Sequence, residues 1–272
     1  MNRLLACSML LAAMGTGTLG APAPTDAELC SAGKGNVRVA SCTTLLRQGV
    51  LDTANRAAVL YDRGVGYTQL GATDSAIADY SEALRLKPNL AQALNNRGAL
   101  FRASGKSSEA IADFSTVIRL VPDGANAFIN RGIAFGEAGD YRDAIRDFSQ
   151  VVRLTPDQAE GYAGRCWARA LEGREPEAAL DDCNIALQIR DSDAATRSYR
   201  ALAFLRLGDF DSAIVDYDRC LEGQPKNASF LFGRGIAKLR AGNPTGANED
   251  LASARALDPR VAQIFSGYGV AP

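Results

Sequence analysis

Residues 57–90, AAVLYDRGVGYTQLGATDSAIADYSEALRLKPNL, and residues 91–124, AQALNNRGALFRASGKSSEAIADFSTVIRLVPDG, are two copies of one 34-residue pattern. The pattern continues to the end of the chain. Its arginine recurs as Arg63, Arg97, Arg131, Arg165, Arg200 and Arg234, in steps of 34, 34, 34, 35 and 34 residues. Asp79, Asp113, Asp147, Asp182, Asp216 and Asp250 keep the same step. Self-similarity at a fixed period marks a repeat array, in which each unit buries its apolar face against its neighbours. Six units follow: 57–90, 91–124, 125–158, 159–193, 194–227 and 228–261.

Within a unit the spacing is helical. Between Gly71 and Pro88, Ala76, Ile77, Tyr80, Ala83 and Leu84 fall on one face of a helix. Gly71 is placed to end the preceding helix and Pro88 to end this one. Each unit is therefore expected to be two antiparallel helices joined by a short turn.

The columns of the array carry a family likeness. Column 8 reads Gly64, Gly98, Gly132, Cys166, Ala201 and Gly235, and column 15 is glycine throughout, from Gly71 to Gly242. Column 20 is alanine from Ala76 to Ala247, and column 24 reads Tyr80, Phe114, Phe148, Cys183, Tyr217 and Leu251. Column 32 is Pro88, Pro122, Pro156, Asp191, Pro225 and Pro259. This order over 34 residues resembles the tetratricopeptide repeat. The resemblance implies an all-α, right-handed superhelical solenoid of antiparallel helix pairs. Two units depart from it at column 11, where Arg169 and Lys238 replace the aromatic, and these units are expected to pack less tightly.

Opposed columns of an antiparallel hairpin have a nearly constant sum. Each column-7 Arg should accordingly face a column-23 Asp, in its own unit or the next. A guanidinium fork matches a carboxylate, and buried charges are normally paired. The Arg–Asp columns are read as scaffold rather than as a binding ladder.

At the N-terminus, Arg3, the apolar run Leu4–Met14 and the small residues Gly15–Gly20 form the three regions of a secretory signal peptide, residues 1–20. The expected location is therefore secreted or periplasmic, with no membrane-spanning segment once the signal is removed. Leu4-Leu5-Ala6-Cys7 resembles a lipoprotein box, but only six residues precede Cys7, and the match is read as chance. Residues 21–56 form an N-terminal segment. Its stretch 21–35 reads as mostly extended, followed by a cap helix from Val37 to Gln48, capped by Asn36 and stopped by Gly49. Residues 262–272 read as a C-terminal tail.

Five cysteines follow the signal: Cys30, Cys42, Cys166, Cys183 and Cys220. Cys166 and Cys183 occupy the facing columns 8 and 24 of one unit, where glycine normally opposes a ring, so a bridge between them fills the gap covalently. Cys30 with Cys42 is the second candidate, although spacing alone does not fix connectivity. Cys220 reads as a small buried hydrophobe.

The chain has 272 residues, a formal net charge of -1 and no histidine. The commonest general base, the commonest metal ligand and every Ser-His or Cys-His pair are thereby removed. No phosphate loop, metal cluster or basic run is present, so no catalytic residue, cofactor, metal or nucleic-acid partner is expected.

The resemblance implies that the first helix of each unit lines a concave groove. Its N-terminal half would present Tyr61, Gln92, Asn95 and Asn126 among mixed polar positions. Its C-terminal half would present Trp167, Leu171, Leu202 and Leu205 with Arg206, then Phe232, Ile236 and Arg240. Trp and Arg are enriched at binding hot spots, which marks this apolar half as the expected partner site. The alternative is that these side chains pack against adjacent units or the tail. The function expected is a non-enzymatic scaffold that holds a peptide or partner protein outside the cytoplasm. The alternatives are a component of an envelope or secretion assembly and, less favoured, an envelope enzyme.

Overall fold

In a computed structural model that describes residues 23–272, the chain is all helix, with no strand among the described residues. Helices α1 (Asp26–Ala32) and α2 (Gly35–Gln48) precede six helix pairs. The pairs are α3 (Thr53–Gln69) with α4 (Thr73–Leu86), α5 (Ala91–Ala103) with α6 (Ser107–Leu120), and α7 (Ala125–Glu137) with α8 (Tyr141–Leu154). They continue as α9 (Ala159–Glu172) with α10 (Pro176–Ile189), α11 (Ala194–Leu207) with α12 (Phe210–Gly223), and α13 (Ala228–Arg240) with α14 (Pro244–Leu257). A last helix, α15 (Val261–Gly267), closes the array. Successive first helices touch one another, α5 with α7, α7 with α9, α9 with α11 and α11 with α13. The first helices thus form the inner layer of an all-α solenoid, and the second helices form the outer one.

The repeated residues explain why the units are alike. Each column-15 glycine has a positive φ, between 71° and 86°, which a side chain would strain. At column 8 the reason is contact rather than conformation. A Cβ on Gly64 would lie 2.7 Å from the Tyr80 ring, and one on Gly98 would lie 2.9 Å from that of Phe114. Close approach of the two helices therefore requires glycine opposite the ring.

All six column-7 arginines grip the column-23 aspartate of their own unit through Nε and Nη2, at 2.6 to 2.9 Å. The bond count per arginine does not end there. The remaining nitrogen, Nη1, reaches into the preceding unit and donates to Thr43, Ser81, Ser115, Ser149, Asn184 or Asp218 in turn. Those acceptors share column 25, which sequence reading passed over. In the last unit column 25 is Ala252, and no arginine follows to use an acceptor there. One guanidinium thus ties its own helix pair and the previous unit together.

Column 11 supports the same cation. Tyr67, Phe101, Phe135 and Phe204 lie 5.5 to 6.0 Å from the guanidinium of Arg63, Arg97, Arg131 and Arg200. The expectation of loose packing in the two departing units is corrected here. Arg169 donates to Asp182 at 2.6 Å and Lys238 to Asp250 at 2.9 Å, so each lost ring is replaced by a second cation on the buried carboxylate. At Asp250, burial alone raises the carboxyl pKa, but the hydrogen bonds from Arg234 and Lys238 outweigh it and leave the group below the usual carboxylate range.

The N-terminal segment departs from its expected form. Residues 26–32 are helical, because Thr25 and Glu28 make a capping box that sequence reading overlooked: the Glu28 amide donates to Thr25 Oγ1, and the Thr25 amide to Glu28 Oε2. Asn36 is not a cap. Helix α2 starts two residues earlier than expected, at Gly35, whose amide donates to Gln69 Oε1 at 2.8 Å. The proposed signal sequence, residues 1–20, lies outside the described residues.

Both disulfides are formed, Cys30–Cys42 with S–S 2.11 Å and Cys166–Cys183 with S–S 2.05 Å. The first pins α1 onto α2, and the second joins α9 to α10. Cys220 is unpaired and buried, and burial pushes its thiol up to about 11. Its thiolate is therefore scarce near neutral pH. Thiol labelling of residues 23–272 should find one reactive thiol after denaturation without reductant, and none on the native protein at pH 8. Labelling of two or more thiols in the denatured chain would contradict the pairing.

Candidate functional site: the concave groove

The inner layer divides into two unlike halves. Over the first three units its surface is polar and open. Gln92 and Asn126 are exposed, and Asn95, half-buried, accepts a hydrogen bond from Asn130 of the next first helix at 3.0 Å. Arg102 and Glu137 pair across the same step at 2.7 Å. Both contacts span 35 residues, so polar side chains of successive first helices line up along the groove.

The C-terminal half is closed by the chain itself, and this corrects the expectation of an open apolar wall. Leu202, Leu205, Phe232 and Ile236 are buried, and Leu171 is nearly so. Their cover is α15 and the residues after it. Phe265 sits 5.1 Å from the Phe232 ring, centroid to centroid, and Tyr268 sits 5.7 Å from Phe265. Val261 and Val270 are also buried. The tail of the sequence reading is thus a packed helix and return turn, placed by Val261, Phe265 and Val270 rather than left in solvent.

The two arginines expected as partner anchors hold this segment. Arg206 Nη2 donates to the Tyr268 carbonyl and, at 3.5 Å, to that of Leu171. Burial holds the Arg206 pKa below the ordinary arginine value, and its Nε is buried without a partner among the described residues. Arg240 donates to the Ala271 carbonyl at 2.9 Å. Trp167 is half-buried between units. Its ring stands edge-on to Phe148 at 6.2 Å, and it occupies the space a side chain on Gly136 would need. The sequence signal for this cover was the run Val261, Phe265, Val270, too short and irregular to register as a repeat.

Among the described residues no group of His, Cys, Asp and Glu could hold a metal ion. No helix among them is long and apolar enough to cross a membrane. Most perturbed titrating groups are members of hydrogen-bonded ion pairs or buried tyrosines; Cys220, Asp62 and Arg206 are shifted chiefly by burial, and Glu28 by its capping box.

Comparison with known proteins places this geometry. Residues 66–105 match the family described as TPR repeat, and residues 129–194 and 200–262 match the tetratricopeptide repeat. The chain belongs to the tetratricopeptide repeat family. Among solved structures, a tetratricopeptide repeat protein from Parabacteroides merdae superposes with a TM-score of 0.66 at 18% identity, covering 86% of this chain and 92% of that one. YrrB, described as a TPR protein with an unusual peptide-binding site, superposes with a TM-score of 0.52 at 17% identity, over 70% of this chain and 98% of that one. At such identities the likeness shows the tetratricopeptide fold alone. The bovine Protein SGT1 homolog is 28% identical over 100 residues, 37% of this chain and 30% of its own length. The chain therefore spans less than a third of that curated relative. As a tetratricopeptide repeat array, the protein presents an interaction scaffold whose inner surface is available over its N-terminal half.

Proposed function

We propose that this protein is a non-enzymatic scaffold that holds a peptide or partner protein on the open, polar half of its concave face, outside the cytoplasm. The observation that carries the reading is the contrast between the two halves of the groove. Its C-terminal half is filled by α15, while its N-terminal half leaves Gln92, Asn95 and Asn126 facing outward with unused amide capacity. Primary amides offer both donors and acceptors, which suits the alternating carbonyls and N–H groups of an extended chain. The two disulfides support a location in which oxidised thiols persist. An apolar partner contact through Leu202, Leu205, Phe232 or Ile236 would require α15 to leave first.

The test begins with a photo-cross-linking side chain at Gln92, used in the cell envelope to identify the partner. Affinity of the purified pair is then measured. Asn95→Ala and Asn126→Ala should each weaken it about tenfold, the equivalent of one hydrogen bond, with unchanged helicity. Val215→Asp, on the outer layer and exposed, should leave it unchanged. A partner sensitive to Val215→Asp and indifferent to both asparagines would move the site to the convex face.

A further inference from the structure

A second, half-open site lies where α15 meets the last two units. A cavity of about 350 Å³ is walled by Tyr199, Tyr217, Phe230, Phe265 and Tyr268. It opens to solvent past Gln224 and Ser229, which are exposed. Its volume is at the small end for ligand pockets.

The tyrosine of column 24 has a different environment here from the one it has in the first unit. In the first unit the buried Tyr80 hydroxyl has two partners, Thr68 Oγ1 at 3.1 Å and Asn96 Nδ2 at 3.4 Å. Tyr217 is the counterpart in the fifth unit, and it is only 2% exposed. The equivalents of both partners are gone: Leu205 stands in the column of Thr68 and Gly233 in that of Asn96. The Tyr217 hydroxyl makes no hydrogen bond among the described residues, and it lines the cavity. The hydroxyl is not sealed from solvent, so it is free to meet water or a ligand in the cavity. A side chain on Gly233 would collide with the Tyr217 ring, so no amide like that of Asn96 can stand there.

The other polar groups point to the chemistry of the occupant. The Tyr199 and Tyr268 hydroxyls and Ser229 Oγ also lack partners among the described residues, while Ser198 Oγ donates to Ala195 and keeps its acceptor capacity. No Lys, Arg, Asp or Glu lines the cavity. Burial pushes the Tyr199 pKa up to about 12, with the neighbouring Tyr268 as a lesser cause, and burial raises Tyr217 too. These hydroxyls are neutral donors throughout the physiological range. An occupant must therefore be uncharged, carry several hydroxyls or amides, and offer C–H faces to aromatic walls.

We propose that this cavity is a binding site for a neutral saccharide ring, with Tyr217 and Tyr199 as hydrogen-bonding groups and Phe230, Phe265 and Tyr268 as stacking walls. A pyranose matches each requirement: its C–H face rests on aromatic rings while its hydroxyls meet the unpaired tyrosines and serine. An aromatic peptide side chain would satisfy at most one of those polar groups. The site is independent of the groove reading, since it lies in the half that α15 covers.

Saturation-transfer NMR on the disulfide-intact protein tests this, with N-acetylglucosamine, glucose and maltose as probes at millimolar concentration and p-cresol as the aromatic control. At least one sugar should receive saturation at its ring C–H protons. Tyr217→Phe, which removes only the hydroxyl, should weaken that sugar about tenfold. Ser229→Trp, at the exposed mouth, should abolish binding while circular dichroism stays unchanged. No transfer to any sugar, or transfer that survives Ser229→Trp, overturns the proposal. Binding of p-cresol without any sugar also overturns it and assigns an aromatic side chain as occupant.

Discussion

Asp182→Ala should destabilise the fourth unit by about 3–5 kcal/mol, because it removes one partner of a buried ion pair. The Asp182 side chain is 3% exposed and accepts from Arg165 through both Nε and Nη2, and from Arg169 Nη1. Removing it leaves two guanidinium groups facing each other in a site that water scarcely reaches. The Coulomb repulsion and the lost hydrogen bonds act together. Asp181→Ala is the control. That neighbouring carboxylate is exposed and unpaired among the described residues, so its loss should stay within about 0.5 kcal/mol. Urea unfolding of both variants, with hydrogen exchange in α9 and α10, decides the matter. A loss below about 1 kcal/mol for Asp182→Ala would mean that the paired charges contribute little beyond shape.

Phe265→Ala should be comparable, at about 3–5 kcal/mol, but confined to the end of the array. Phe265 is 4% exposed and covers Phe232. With the ring gone, the segment keeps Val261, Val270 and the Arg206 and Arg240 hydrogen bonds, but the buried set Leu202, Leu205 and Ile236 loses part of its roof. Stability in a linear array is a sum of unit and neighbour terms, so α13 and α14 should melt ahead of the first four units. A second, earlier transition and increased binding of a hydrophobic dye are the expected readouts. An unchanged single melt, with α13 amides as protected as before, would show that α15 lies on the array without supporting it.

Much of the fold was legible because its physics repeats. A period of 34 residues and an Arg column opposite an Asp column are local rules stated six times, and glycine opposite a ring is stated in the first three units. Facing columns in an antiparallel hairpin also placed Cys166 against Cys183, because a helix pair fixes which residues meet. The column-25 acceptors were present in the same alignment and went unread. Their polarity looks like an ordinary solvated face until the third guanidinium nitrogen is seen to need them.

The binding surface was harder to read, for a different reason. Apolar first-helix positions such as Leu202, Leu205, Phe232 and Ile236 look alike whether they face a partner or a further helix. Which of these happens depends on α15, a single segment outside the repeat with no second copy to average over. Arg206 and Arg240 carry the same ambiguity, since a guanidinium serves a foreign carbonyl and the chain's own Tyr268 or Ala271 carbonyl equally well. Periodic sequence therefore specified the solenoid, its ion-pair spine and the Cys166–Cys183 cross-link, all of which depend on neighbours at fixed spacing. The return of residues 261–272 over the last units, the open polar half it leaves, and the cavity beneath Tyr268 depend on contacts between distant parts of the chain. Those contacts have no period, and only the packed structure reveals them.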